Sequence, residues 1–149
     1  MTTLHHSTFG QGKPIVLVHG WAMHSGIWAE FAEQLAQHYQ VTCIDLPGHG
    51  YSEKCDAFTL ETISQALVDS VPDEASCWLG WSLGATVVLD IARRFPNRVN
   101  SLILLAGNPL FIETDEWNGM KWSVLEEFAK QLIAIFRYMG AAALPVIIL

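Results

Sequence analysis

Ser82 is the residue of this chain best placed to do chemistry. It stands in Gly80-Trp81-Ser82-Leu83-Gly84, between the apolar run Cys77-Trp78-Leu79 and a helical pattern from Gly84 to Phe95 that Pro96 ends. Gly-x-Ser-x-Gly at a strand-to-helix junction puts the hydroxyl on a turn too sharp for side chains on its neighbours, hence the glycines. The hydroxyl then stands clear of the sheet, and the helix aims its N-terminal dipole at developing negative charge. That arrangement suits a serine attacking a carbonyl carbon. The plainer reading is a glycine-flanked turn with an idle serine, and the strand before and helix after argue against it.

A serine that attacks an ester also needs donors for the oxyanion. One is the N–H of Leu83, directly after the nucleophile; the other comes from a loop after an earlier strand. His19-Gly20-Trp21 is placed for that role, with Gly20 permitting close backbone approach and the N–H of Trp21 as donor. Trp21 and Trp81 either line the pocket or belong to the core, and both readings stay open. His19 reads as a histidine that orients its loop rather than as the base, because acid and histidine follow the serine in this arrangement. Asp45 and His49 lack the third ligand of a zinc site and read as loop-fixing groups. Neither a metal nor a cofactor is expected.

Alternating strands and helices must position these loops. Leu4 to Phe9 suggests an edge strand closed by Gly10-Gln11-Gly12. Ile15-Val16-Leu17-Val18, Val41-Thr42-Cys43-Ile44, Cys77-Trp78-Leu79 and Leu102-Ile103-Leu104-Leu105 are short apolar runs, the pattern of strands buried on both faces. Trp28, Phe31, Ala32, Leu35 and Tyr39 recur at helical spacing, and Thr59 caps a helix through Leu60, Ile63, Leu67 and Val68. A further helix begins near Ser123. Such alternation predicts an α/β fold with a mostly parallel sheet flanked by helices, and its chemistry at the carboxyl ends of the strands.

Composition narrows the partners. The chain has 149 residues, 51% hydrophobic and 15% charged, which fits one packed domain and excludes a solvated, disordered chain. Eight basic against fifteen acidic residues give a net charge of -7, so nucleic acid and anionic membranes are poor partners. Cys43, Cys55 and Cys77 make neither a disulfide framework nor a metal pattern, and the N-terminus lacks a signal peptide's basic start and apolar run; a cytoplasmic protein is expected. The stretch 132–149 approaches the about 20 apolar residues of a bilayer crossing. Arg137, costing roughly 3 kcal/mol at a helix centre, and Pro145 read against a span.

Together, His19-Gly20-Trp21, Asp45-Leu46-Pro47-Gly48-His49-Gly50-Tyr51-Ser52 and Gly80-Trp81-Ser82-Leu83-Gly84 resemble the α/β-hydrolase superfamily. More narrowly, Trp78 to Gly84, with Pro109, Phe111 and Glu116-Trp117-Asn118-Gly119-Met120-Lys121, is similar to the pimeloyl-acyl-carrier-protein methyl ester esterases of biotin synthesis. The resemblance runs from about residue 10 to 132. It implies a serine carboxylesterase with Ser82 as nucleophile and Trp21 and Leu83 contacting the acyl group and forming the oxyanion hole. A general short-acyl esterase and a non-catalytic half-hydrolase that only binds acyl ligands or partner chains are the alternatives.

The resemblance also marks what is missing. All six histidines lie at or before His49, so none follows Ser82. The chain therefore reads as a single partial domain: sheet core over 1–110, start of a lid over 111–132, and an aberrant apolar tail over 133–149 attributed to a frameshift or early stop. On this reading the strand at 102–105 is left as an exposed edge prone to self-association. An acyl-carrier protein is the partner that the resemblance implies. With Lys121, Lys130 and Arg137 the only cations near the lid, docking of such an acidic partner is expected to be weak.

Overall fold

Each expected strand forms, and each aliphatic run explains itself by what lies on its two sides. The computed structural model describes residues 2–108, 113–116, 118–124, 126, 127 and 130. Five strands, β1 (His6–Phe9), β2 (Lys13–Val18), β3 (Tyr39–Ile44), β4 (Ser76–Trp81) and β5 (Val99–Leu105), make one sheet in the order β1-β3-β2-β4-β5. β1 runs antiparallel to β3, and the other pairings are parallel. Three helices of two turns or more, α1 (Ala29–Leu35), α2 (Leu60–Ser70) and α3 (Leu83–Arg94), connect them.

Alternate residues of β2 point to opposite faces, and both faces are covered. Val16 and Val18 join Ile44, Ile63, Leu67, Trp78, Val87 and Ile91 in the larger core beneath α2 and α3. Leu17 joins Trp28, Ala32, Val41, Cys43 and Leu79 in a smaller core beneath α1. A strand with apolar layers on both sides has no polar face to alternate, which is why Ile15–Val18 reads as unbroken hydrocarbon.

Polar bonds tie the helices to that core. Thr59 caps α2 through its hydroxyl and the N–H of Thr62 at 3.2 Å, and Thr62 returns the bond to the N–H of Thr59. At the other end of α2, the Arg98 guanidinium donates to the carbonyls of Val68, Val71 and Pro72. Asp90 on α3 is nearly buried. Burial opposes its charge, yet bonds from Arg93, Arg94 and Ser64 outweigh that and hold its carboxyl below the usual range.

One element departs from expectation. Tyr39 does not continue the helix of Trp28 to Leu35; it opens β3 opposite Lys13. The preceding segment begins as a 3-10 turn, Ser25–Trp28, and α1 closes at Leu35 with Gln37 and His38 donating three residues back. Gly10 (φ 71) allows the β1–β2 turn to press directly on the carbonyls of Ala36 and Tyr39, space that a Cβ would fill. The chain has no room there for another helical turn.

β5 lies at an edge. Among the described residues no strand pairs with its outer side, and Ile103, Leu104 and Leu105 are each more than two-fifths exposed. Residues 1–108 form one unit and 109–149 a second. In the second, Glu113 N–H donates to the Met120 carbonyl and helical backbone begins at Trp122. Pro109, Phe111, Trp117 and the stretch 132–149 lie outside the described residues. No helix among the described residues is long and apolar enough to cross a membrane.

Register aligns the chemistry. Val18 sits opposite both Ile44 and Gly80, and Trp81 opposite Leu105, so four strands release their loops at one edge of the sheet. The turn from β4 into α3 then packs backbone on backbone. A Cβ on Gly84 would strike the carbonyl oxygens of Val18 and His19, and one on Gly80 would strike the carbonyl of Gly84. Gly84→Ala should therefore cost about 3 kcal/mol in urea unfolding, since backbone cannot yield as a side chain does. Gly26→Ala, where the new methyl meets only the His24 imidazole, should cost under about 1 kcal/mol.

Candidate active site

Ser82 is held in a conformation that serine rarely adopts, φ 54 and ψ -116. Its N–H donates to the Leu105 carbonyl at 2.9 Å and its carbonyl accepts from Ala85 N–H at 3.0 Å, so both neighbouring elements fix the turn. Its side chain makes no capping bond to α3. The hydroxyl is thus not spent on the helix end, as an N-cap serine's would be.

Strain marks the same place three times. Among the described residues, the non-glycine residues with positive φ are Ala22 (59), Ser82 (54) and Ala106 (46). They lie just after β2, β4 and β5, at the edge where the loops emerge. Left-handed L-residues persist only where surroundings over-determine them, and they gather at functional sites. Ala22 and Ala106 carry no sign of this in the sequence, because alanine has no side chain that explains the conformation.

The loop after β2 passes beside the serine. A Cβ on Gly20 would stand 3.2 Å from Ser82 Cβ and 3.3 Å from the Trp81 carbonyl, so a residue larger than glycine would crowd the turn. Trp21 follows directly and is half-buried. Leu83, the first residue of α3, has no acceptor within the helix for its N–H. Trp81 is half-buried and packs on the smaller core with Leu17, Trp28 and Leu79. The three residues expected from sequence, Ser82, Trp21 and Leu83, therefore lie on two adjoining loops at one end of the sheet.

His19 cannot serve as a base where it stands. It is fully buried, and its Nε2 accepts the Leu46 N–H at 3.0 Å, which leaves the ring proton on Nδ1 to donate to the Gly20 carbonyl at 2.7 Å. Burial pushes its pKa down to about 4, and the bond to Gly20 offsets only part of that. His49, 5.4 Å away between ring centroids, is also nearly buried. Burial lowers its pKa as well, and its Nδ1 donates to the Pro47 carbonyl. Both rings are neutral struts.

Asp45 is the ionised counterpart. Burial opposes its charge, but the N–H groups of Ser25 and Tyr51 outweigh that and keep its carboxyl below the ordinary range. The ring of His5 donates to it as well, at 3.1 Å. His5 is not a candidate by sequence, since a histidine within an expected edge strand carries no local pattern. Among the described residues no group of three or more His, Cys, Asp or Glu side chains is gathered to hold a metal ion. Downstream of Ser82, the first acid, Asp90, is engaged by Ser64, Arg93 and Arg94.

Comparison with known proteins agrees with this fold. Residues 13–142 match the family described as alpha/beta hydrolase fold. That span continues ten residues past Leu132, the end expected for the resemblance from the sequence. A pimeloyl-[acyl-carrier protein] methyl ester esterase of Methylococcus capsulatus is 48% identical over 122 residues, covering 82% of this chain and 48% of that protein. Another from Vibrio campbellii is 38% identical over 148 residues, covering 96% and 58%. Among solved structures, an Exiguobacterium antarcticum esterase superposes with a TM-score of 0.79 at 22% identity, covering 93% of this chain and 56% of that one. A marine microorganism esterase gives 0.77 at 23%, covering 92% and 51%. The chain spans about half the length of the curated relatives it matches.

The buried histidines make stability depend on pH. Unfolded His19 takes a proton below about 6.5 and folded His19 only below about 4. Between those values the unfolded state binds more protons, so stability is full above 6.5 and falls as pH drops toward 4. The His19 contribution is about 3 kcal/mol, and His49 acts in the same direction. Urea unfolding at pH 7 and pH 4.5 should show this loss, and His19→Gln should lose less on acidification than the parent. An equal loss in both would remove His19 from the account.

Proposed function

Because this chain belongs to the α/β-hydrolase family, we propose that Ser82 is the nucleophile of a serine carboxylesterase whose oxyanion donors are the N–H groups of Trp21 and Leu83. One observation carries the reading: a serine at φ 54 whose hydroxyl does not cap the helix, with the Gly20 backbone pressed against it. In this mechanism Oγ attacks the ester carbonyl and the carbonyl oxygen becomes an anion that accepts from the two amides. The ester C–O bond then breaks, and the leaving alkoxide departs as an alcohol with the proton that Oγ gave up. Water then repeats the attack on the acyl-enzyme and releases the free acid.

The relatives' names suggest the substrate: the methyl ester of a pimeloyl chain carried on acyl-carrier protein, with methanol as the leaving alcohol. A general short-acyl ester is the alternative within the same chemistry. Exposed Lys121 and Lys130 are the cations of the second unit available to an acidic carrier among the described residues, and the net charge of -7 opposes such docking. We place the protein in the cytoplasm, a reading supported by three free thiols, of which burial pushes Cys43 up to about 11. The exposed apolar edge of β5 supports self-association in solution.

A base is the element that these 149 residues do not supply after Ser82. His19 and His49 are committed to backbone partners. That favours a second reading for the 149-residue polypeptide, in which the site binds acyl esters and turns them over slowly. Removing triad members leaves a residual acceleration of about 10³–10⁴ over water from the oxyanion hole and binding. Hydrolysis of p-nitrophenyl butyrate should therefore be slow but above background, and Ser82→Ala should lower it only slightly, because that residual comes from the oxyanion hole and binding. A fluorophosphonate should label Ser82 alone, and slowly because no base activates it, as mapped by mass spectrometry. An adduct on another residue would overturn the assignment.

A further inference from the structure

The loop that carries Trp21 hangs at both ends on two consecutive residues that follow β3. At its near end, His19 accepts the N–H of Leu46 and donates to the carbonyl of Gly20. At its far end, the N–H of Ser25 donates to Asp45 Oδ1 at 2.6 Å. Between these anchors Ala22 is held at φ 59 and Met23 N–H turns back to the Gly20 carbonyl. We propose that Asp45 is a positioning residue that holds loop 19–25 so that the Trp21 amide faces the oxyanion of Ser82; this rests on the reading of Ser82 as the nucleophile.

The chemistry of the site calls for a carboxylate. Oδ1 takes the Ser25 N–H, and Oδ2 takes the Tyr51 N–H at 3.0 Å and the His5 ring N–H at 3.1 Å. Both oxygens face donors, so an amide of the same shape must turn its NH₂ toward one of them and leave that donor buried against another. The loop over the carboxylate is shaped to it as well. Gly50 (φ 52) lies so close that a Cβ there would strike Oδ2. The Ser52 hydroxyl donates to the Asp45 carbonyl at 2.7 Å, which fixes the backbone from which the carboxylate projects. One buried side chain thereby joins three segments: His5, loop 19–25 and loop 45–52.

Asp90 provides a matched control. It too is a buried carboxylate taking several donors, but these come from Ser64, Arg93 and Arg94 on α2 and α3 and not from loop 19–25. Hydrogen–deuterium exchange on the 149-residue chain, in the parent, Asp45→Asn and Asp90→Asn, separates positioning from stability. In Asp45→Asn the amides of residues 20–25 should exchange about tenfold faster, the change expected when a charged hydrogen bond is lost locally. Those of β2 and β4 should stay at the parental rate, and Asp90→Asn should leave 20–25 unchanged.

Ser25→Pro gives a second route if the amide variant does not fold. It removes both the N–H and the hydroxyl that Ser25 directs at Asp45, at the first position of a 3-10 turn that tolerates proline after the extended His24; it should loosen residues 20–24 alike. A methyl trifluoromethyl ketone, followed by ¹⁹F NMR, reads the consequence at Ser82: affinity about tenfold weaker in Asp45→Asn and unchanged in Asp90→Asn. Parental exchange at 20–25 in both Asp45→Asn and Ser25→Pro would overturn the proposal. So would equal weakening of ketone binding by Asp45→Asn and Asp90→Asn. If the parent binds no ketone, the nucleophile reading fails and the exchange data still decide the role of Asp45.

Discussion

The backbone of Gly84 lies directly against the carbonyls of Val18 and His19, with Gly80 against Gly84 in turn, and the rest of the site depends on that contact. It is possible because β2 and β4 are neighbours in register, Val18 opposite Gly80, and because both residues at the tightest points are glycine. The same closeness brings Gly20 against Ser82. Two loops from different strands thus meet at close range at this end of the sheet. Ser82 takes its left-handed backbone from the same constraint: β5 holds its N–H and α3 holds its carbonyl.

Charge is distributed around this contact with a division of labour. The buried groups nearest the loop are two neutral histidines and one ionised aspartate, and each state follows from its partners. An imidazole that accepts a backbone N–H must stay unprotonated, and burial favours that state. A carboxylate that takes three N–H donors must stay ionised despite burial. Acidification therefore reaches the histidines before it reaches Asp45. Ser82 has no hydrogen bond to any of these groups; they shape the loop that carries Trp21.

Much of this was legible in the residues because the informative ones are local. Four apolar runs named the strands, Thr59 named the start of α2, and two glycines at spacing four named the elbow. What was not legible is long-range or backbone-borne. Tyr39 fits a helical stripe by spacing, but pairing with Lys13 decides its state. The donors to Asp45 come from Ser25 and Tyr51 backbone and from His5, forty residues away in sequence. No side-chain pattern announces a backbone N–H. Ala22 and Ala106 likewise look ordinary, since the surroundings and not the residue impose their positive φ.

The claim at the centre is that Ser82 faces an oxyanion hole made by the Trp21 and Leu83 amides. A crystal structure of the chain with a methyl phosphonate bound covalently to Ser82 tests it directly. The account predicts one phosphonyl oxygen accepting from both N–H groups at about 2.7–3.1 Å, the range for preorganised oxyanion donors. A phosphonyl oxygen turned to solvent, or a Trp21 N–H directed away from it, would contradict the account.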